Sequence, residues 1–405
     1  MGILGRLSGS PRDRFAKDAL RLARRAPGVA EARYDRERFA IVLRRHDASS
    51  PAWIYLSNVY SESAGAPRAE RLERVERLIR VVTAADAGEP WESVRPRLRP
   101  VLRPVTFGQV GVAGMVPPVS RPALPYLREF VVVDAPEAMA YVVPGRLEAW
   151  GVTADEVFDA ARANLRPLAE ASGEWPEDER ALIRMIDTGD AYFTSLLLAP
   201  GWLAGVTARR GAPVVAFAPD SNTLLVCDLV PGALSRIYEL VEDEYGEAVR
   251  SLSPVGYVAG PDGEVVPYAP AEGEPDHAAA RRAEVLLATT EYGAQAQWLG
   301  KEYDQAGIDV YVGPLLAVSR AGGPPVTIAA WTDGITSLLP RAQYVSLVAG
   351  GRTPSGSGNS PLVPWQAVAE IVDLRPEPLL TPARYRVGGW PPPNVLAALL
   401  DRAVS

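Results

Sequence analysis

The densest pattern of reactive side chains lies between residues 187 and 228. Asp187-Thr-Gly-Asp190-Ala-Tyr192 closes one apolar run, and Asp220 and Asp228 sit at either end of another. Carboxylates brought together at neighbouring strand ends hold a hard cation such as Mg²⁺, or divide acid and base roles between them. Turn chemistry accounts for the same residues, because Asp bonds its own backbone and Pro219-Asp-Ser-Asn222 is a turn sequence. Both readings stay open at this level.

Other chemistries lack their parts. The chain of 405 residues has two histidines, His46 and His277, and one cysteine, Cys227. A structural zinc takes about four Cys or His ligands and a catalytic one about three, and a nucleophilic Ser or Cys needs a base beside it. No such set can be assembled, so neither a catalytic group nor a metal or cofactor is expected. His46 follows Arg44-Arg45 at a strand end, and His277 opens a helix more than 200 residues later; both are expected at the surface. Cys227, between Val226 and Asp228, reads as a buried small hydrophobe. The glycine-rich run Gly350–Ser360 has no Lys and leads into Pro361, so it lacks the Gly-Lys-Ser/Thr end of a phosphate loop and reads as a surface loop. Tryptophans such as Trp175, Trp202, Trp365 and Trp390 are expected in core and interdomain packing. Gly-Gly-Trp390-Pro-Pro-Pro-Asn reads as a rigid step into the last helix.

Elements to position these groups follow from pattern. Ser10-Pro11-Arg12-Asp13 starts a helix with Phe15, Ala19, Leu22, Ala23 and Ala26 on one face, stopped by Pro27-Gly28. Strands are expected at 39–44 and 53–59, and a scaffold helix over 67–85 with Leu72, Val75, Ile79 and Val82 inward. Recurrent prolines from Pro96 to Pro125 predict edge strands or an extended connector. A strand pair at 130–134 and 139–143 precedes the capping box Thr153-Ala-Asp-Glu156, whose helix turns Val157, Phe158, Ala161 and Leu165 inward. Then come a strand at 181–187, a helix over 195–209, strands at 213–217 and 223–228, a helix over 235–245, and a hairpin at 255–268 turning at Gly-Pro-Asp262-Gly263. The last part predicts a long helix from about 276 to 304, strands at 310–318, 326–331 and 344–349, and a helix over 393–404.

At this length two or three domains are expected: a basic helix–strand–helix unit over 1–118, an α+β core over 119–270 and an α/β extension over 276–405, together an α+β protein of mixed sheets with packed helices. The net charge of −7 is uneven. Residues 1–110 carry 21 Lys and Arg against 13 Asp and Glu, +8, leaving −15 for the rest. The bland account is that a basic N-terminal part packs on its acidic remainder; nucleic acid or a membrane surface is disfavoured because no Lys/Arg block exists. A lone cysteine, no membrane-length apolar run and no secretory leader pattern predict a cytoplasmic address.

Residues 153–228 resemble the YtpQ-like bacterial family, a domain of unknown function. The likeness lies in Ala161-Arg-Ala-Asn164-Leu165-Arg166-Pro-Leu168, Asp187–Leu198, Gly211–Asp220 and Leu224–Asp228, and it covers residues about 120–270, with less at the N-terminus. Family members often carry Arg-Asp after the proline where this chain has Asp220-Ser221-Asn222. The resemblance implies a cytoplasmic bacterial α+β protein without an assigned activity or catalytic residues. If the family has a ligand site, Asn164, Arg166, Asp190 and Tyr192 are its first candidates, because loops and element ends commonly present sites. The expected function is therefore non-catalytic binding or regulation through contact with another protein, a small-molecule ligand staying open. The alternatives are a Mg²⁺-assisted hydrolase or phosphoryl-transfer enzyme built on Asp187, Asp190, Asp220 or Asp228, and nucleic-acid or anionic-lipid binding by residues 1–110.

Overall fold

The computed structural model describes residues 10–36, 39–46, 52–56, 59–60, 63, 65–84, 89–108, 117–135, 138–172, 182–187, 192–319, 323–350 and 360–404. Asp190, Trp175 and most of the 350–360 run lie outside them. The architecture is α+β, as expected.

Near the N-terminus, helix α1 (Pro11–Ala23) begins where Ser10 Oγ accepts the Asp13 amide at 3.1 Å. It packs with α2 (Arg68–Ala84) on the antiparallel sheet β1 (Val29–Asp35), β2 (Ala40–Arg45) and β3 (Ala52–Tyr55). The small Ala16, Ala19 and Ala23 let the helix approach closely, and Phe15 packs against Phe39. Strand β1 was not foreseen, because only Ala32 of its seven residues is buried and no alternation marks it. Arg21 and Arg68 pair with Asp18, and Arg36 with Asp13, inside this unit.

A short helix α3 (Trp91–Val94) leads into β4 (Leu98–Pro104), which pairs antiparallel with β6 (Leu127–Ala135); β5 (Ser120–Leu124) and β7 (Ala138–Tyr141) pair the other side of β6. The boundary expected near residue 118 thus lies between two strands of one sheet. Helices α4 (Pro144–Trp150), α5 (Ala154–Ala163) and α6 (Arg166–Ala171) follow. The capping box forms as read from the sequence, with Val157, Phe158, Ala161 and Leu165 all buried.

The second central sheet contains β8 (Ile183–Ile186), β9 (Val214–Asp220), β10 (Thr223–Asp228), β11 (Ser251–Ala259) and β12 (Val265–Pro267), ordered β12-β11-β9-β10-β8 and antiparallel throughout. One face joins Leu102 and Leu127 of the first sheet in a shared core. Val215, Phe217, Leu225 and Cys227 on the other face meet α8 (Ser235–Glu247). Cover on both faces explains why Val214–Ala218 is buried without alternation. The helix expected over 195–209 is two elements: a 3-10 turn Phe193–Leu198 and α7 (Trp202–Arg210). Pro200 supplies no amide and Gly201 stands at φ 71°, which ends the first before the second begins.

Helix α9 (His277–Ala306) is a spine about 45 Å long. Ala279, Ala280 and Ala283 join the α8 core, Leu287 the core between the central sheets, and Ala288 and Tyr292 the C-terminal core. The unit expected to begin at 276 therefore shares its first helix with the central sheets. Beyond it, the strand expected over 310–318 is β13 (Tyr311–Val312) and β14 (Leu316–Val318), which enter different sheets; β15 (Val326–Thr332), β16 (Ser337–Pro340), β17 (Tyr344–Val348), β18 (Leu362–Pro364) and β19 (Arg384–Val387) complete them as β13-β16-β19 and β14-β15-β17-β18. Helices α10 (Trp365–Val372) and α11 (Pro393–Leu400) cover this end, with Trp365 buried and Trp390 packed beside it. No helix among the described residues is long and apolar enough to cross a membrane.

Candidate functional site

Asp187, Asp220 and Asp228 do not share one cleft. Antiparallel pairing sets Thr223 opposite both Asp220 and Ile186, and the Asp187 amide donates to Asn222 O at 2.7 Å, so Asp187 and Asp220 flank one end of the β9–β10 hairpin. Asp228 lies five residues along β10, about 17 Å away. There its carboxylate takes two hydrogen bonds from Arg210, at 2.8 and 2.9 Å, which is a structural ion pair. Asp220 serves its own turn, with Oδ1 accepting the Asn222 amide at 2.6 Å and Oδ2 the Thr223 hydroxyl at 2.9 Å. Asn164 is a staple: its Nδ2 donates to Arg95 O and Leu98 O, fastening the end of α5 to the approach of β4. Arg166 is exposed at the start of α6. Among the described residues no three His, Cys, Asp or Glu are grouped to hold a metal ion.

Asp187 and Tyr192 do come together, in a cavity of about 190 Å³ between the two central sheets. Six stretches of chain line it: Val101 and Arg103 of β4, Met139 of β7, Asp187, Tyr192 with Thr194 and Ser195, the turn residues Ser221 and Asn222, and Arg250 ahead of β11. Tyr192 holds a left-handed backbone, φ 49°, rare for a non-glycine residue. Two carboxylates fix it there: its amide donates to Asp187 Oδ2 at 2.7 Å and its hydroxyl to Asp134 Oδ1 at 2.8 Å. Burial first, and then Asp134, push the phenol far above its ordinary range, so it stays a neutral donor. The hydroxyls are also spent on the walls. Ser195 Oγ donates to Pro100 O at 2.6 Å, Thr194 Oγ1 to Ser221 O at 3.2 Å and Ser221 Oγ to Arg250 O at 3.1 Å. Asn222 Oδ1 accepts from Arg250 Nη2 at 3.3 Å.

Neither histidine nor the cysteine lines this cavity. His46 is exposed, while His277 is half-buried, contrary to expectation, because its Nδ1 meets Pro270 O at 2.9 Å. Burial raises the Cys227 thiol to about 12, an inert side chain at neutral pH.

Arg103, Asn222 and Arg250 were missed as site residues. One signal was legible: Arg103 interrupts the apolar run Val101-Leu102-Arg103-Pro104-Val105, a charge where a buried strand wants none. No protein-family model, curated protein or solved structure matches the chain.

Proposed function

We propose that this is a non-catalytic cytoplasmic binding or regulatory protein that recognises a small molecule in the cleft between its central sheets and acts through contact with another protein. The observation that carries the reading is the convergence of six separated stretches on one polar cavity, held about a strained Tyr192. Strain of this kind persists where surrounding structure over-determines it, as at ligand sites. The one carboxylate in the lining among the described residues, Asp187, is engaged by the Tyr192 amide, and Asp228, another of the expected acids, is spent on Arg210. Acid–base pairing or cation capture by those aspartates gains no support from this arrangement. A polyanion surface on residues 1–110 gains none either, since Arg21, Arg36 and Arg68 are paired within their own unit. The YtpQ-like reading of residues about 120–270 belongs to the same proposal and adds no activity.

Thermal melting of the full chain with a set of small metabolites, and separately with Mg²⁺, tests it, because a ligand that binds only the folded state raises the melting temperature. A metabolite shift without turnover is expected. A Mg²⁺ shift erased by Asp187→Ala, or turnover of a stabilising compound, replaces this reading with the carboxylate-enzyme one.

A further inference from the structure

Five charged side chains among the described residues are less than a tenth exposed: Arg103, Glu129, Asp276, Glu291 and Arg384. Four spend their charge on the protein. Glu129 lies between Arg121 and Arg162, Asp276 accepts the Gly232 and Leu234 amides, Glu291 accepts the Thr106 amide and hydroxyl, and Arg384 donates to four oxygens. Arg103 differs. Its Nε–H donates to the Tyr141 hydroxyl and one Nη1–H to Leu102 O, both at 2.7 Å. A guanidinium has five N–H donors, so three have no acceptor among the described residues, and no carboxylate there pairs with its charge. Alone of the five, it lines the cavity.

We propose that the cleft binds a small monocarboxylate, with the carboxylate forked onto the Arg103 guanidinium and the apolar body against Val101 and Met139. This rests on the reading of the cleft as the site of recognition. A charge out of water is costly unless compensated, and the planar guanidinium fork matches a carboxylate through two parallel hydrogen bonds. Among the described residues the charged groups of the lining are Arg103, Arg250 and Asp187, and Asp187 is already held by the Tyr192 amide. Size sets the body: a cavity of about 150 Å³ accepts benzene, and this one, about 190 Å³, accepts a group of that size with its carboxylate. The flexible Met139 thioether adapts to the shape of that group. Asn222 contributes a second donor, because its Oδ1 is committed to Arg250 and its Nδ2 has no acceptor among the described residues.

Titration calorimetry on the full chain with benzoate, butyrate, benzamide and inorganic phosphate tests the assignment. One carboxylate at least is expected to bind with a stoichiometry of one, and benzamide and phosphate not to bind. Arg103→Met is expected to weaken that carboxylate by about tenfold or more. Met139→Trp, which fills the cavity and leaves the guanidinium in place, is expected to abolish binding; it answers the question should Arg103→Met fail to fold. Binding of phosphate or benzamide in preference, no heat from either carboxylate, or an unchanged carboxylate affinity in a folded variant overturns the inference while the recognition reading stands. Turnover of the bound acid removes that reading instead.

Discussion

Arg384 in the C-terminal unit and Arg103 between the central sheets are both buried guanidiniums with no carboxylate beside them among the described residues, yet they do opposite things. Arg384 donates to Gln295 Oε1, Gly313 O, Leu338 O and Tyr292 O at 2.6–3.1 Å and lies against the Tyr292 ring. It ties α9 to the loop after β13 and to strand β16, and burial lowers its pKa to about 10. Arg103 makes two such bonds and lines a cavity. Burial of a charge therefore does not mark a site; unspent hydrogen-bond capacity facing open space does.

The largest expected effect sharpens this contrast. Arg384→Met takes one donor from each of four buried oxygens at once and is expected to cost about 3–5 kcal/mol in urea unfolding. An equal loss from Arg103→Met would break the comparison. Glu129→Gln comes next, at about 2–3 kcal/mol: the fully buried carboxylate holds Arg121 and Arg162, which are themselves about a third exposed, so water recovers part of the loss. Arg103→Met is expected to leave the unliganded protein within about 1 kcal/mol of its parent by the same measurement, since the lost hydrogen bonds and contacts with the Phe107 and Tyr141 rings are offset by removal of a buried charge that no carboxylate among the described residues pairs.

The smallest effect concerns Glu291, whose carboxyl is raised by burial against the two hydrogen bonds from Thr106. The native state keeps this proton where the unfolded chain has released it, so stability falls as pH rises from the ordinary glutamate range until the native group ionises. Glu291→Gln is expected to flatten that part of a melting-temperature profile between pH 4 and 8. An unchanged slope would show that the buried carboxylate does not titrate there, and would align it with the fully compensated Glu129.

What was legible in the chain was local. Ser10 and the Thr153–Glu156 box form the caps they spell, because a cap needs only a side chain and an amide three residues on. The Asp220 turn was read for the same reason, and the turn reading of that residue is the one its hydrogen bonds satisfy. Strand β1 was hidden because an exposed edge needs no apolar alternation, whereas the prolines of 96–125 left an edge strand and a connector equally open, and β4 is the edge strand of its sheet.

Composition and spacing alone determined the α+β class, the scarcity of imidazole and thiol, and the ends of the strongest helices, all of which depend on residues within a turn or two of one another. Only the tertiary structure decided which polar atoms share a cavity and which are already satisfied. Arg103 and Asn222 are more than a hundred residues apart, and they meet because two sheets bury their apolar faces against each other. Whether a guanidinium is spent or waiting depends on oxygens that this packing brings near, which no stretch of neighbouring residues encodes.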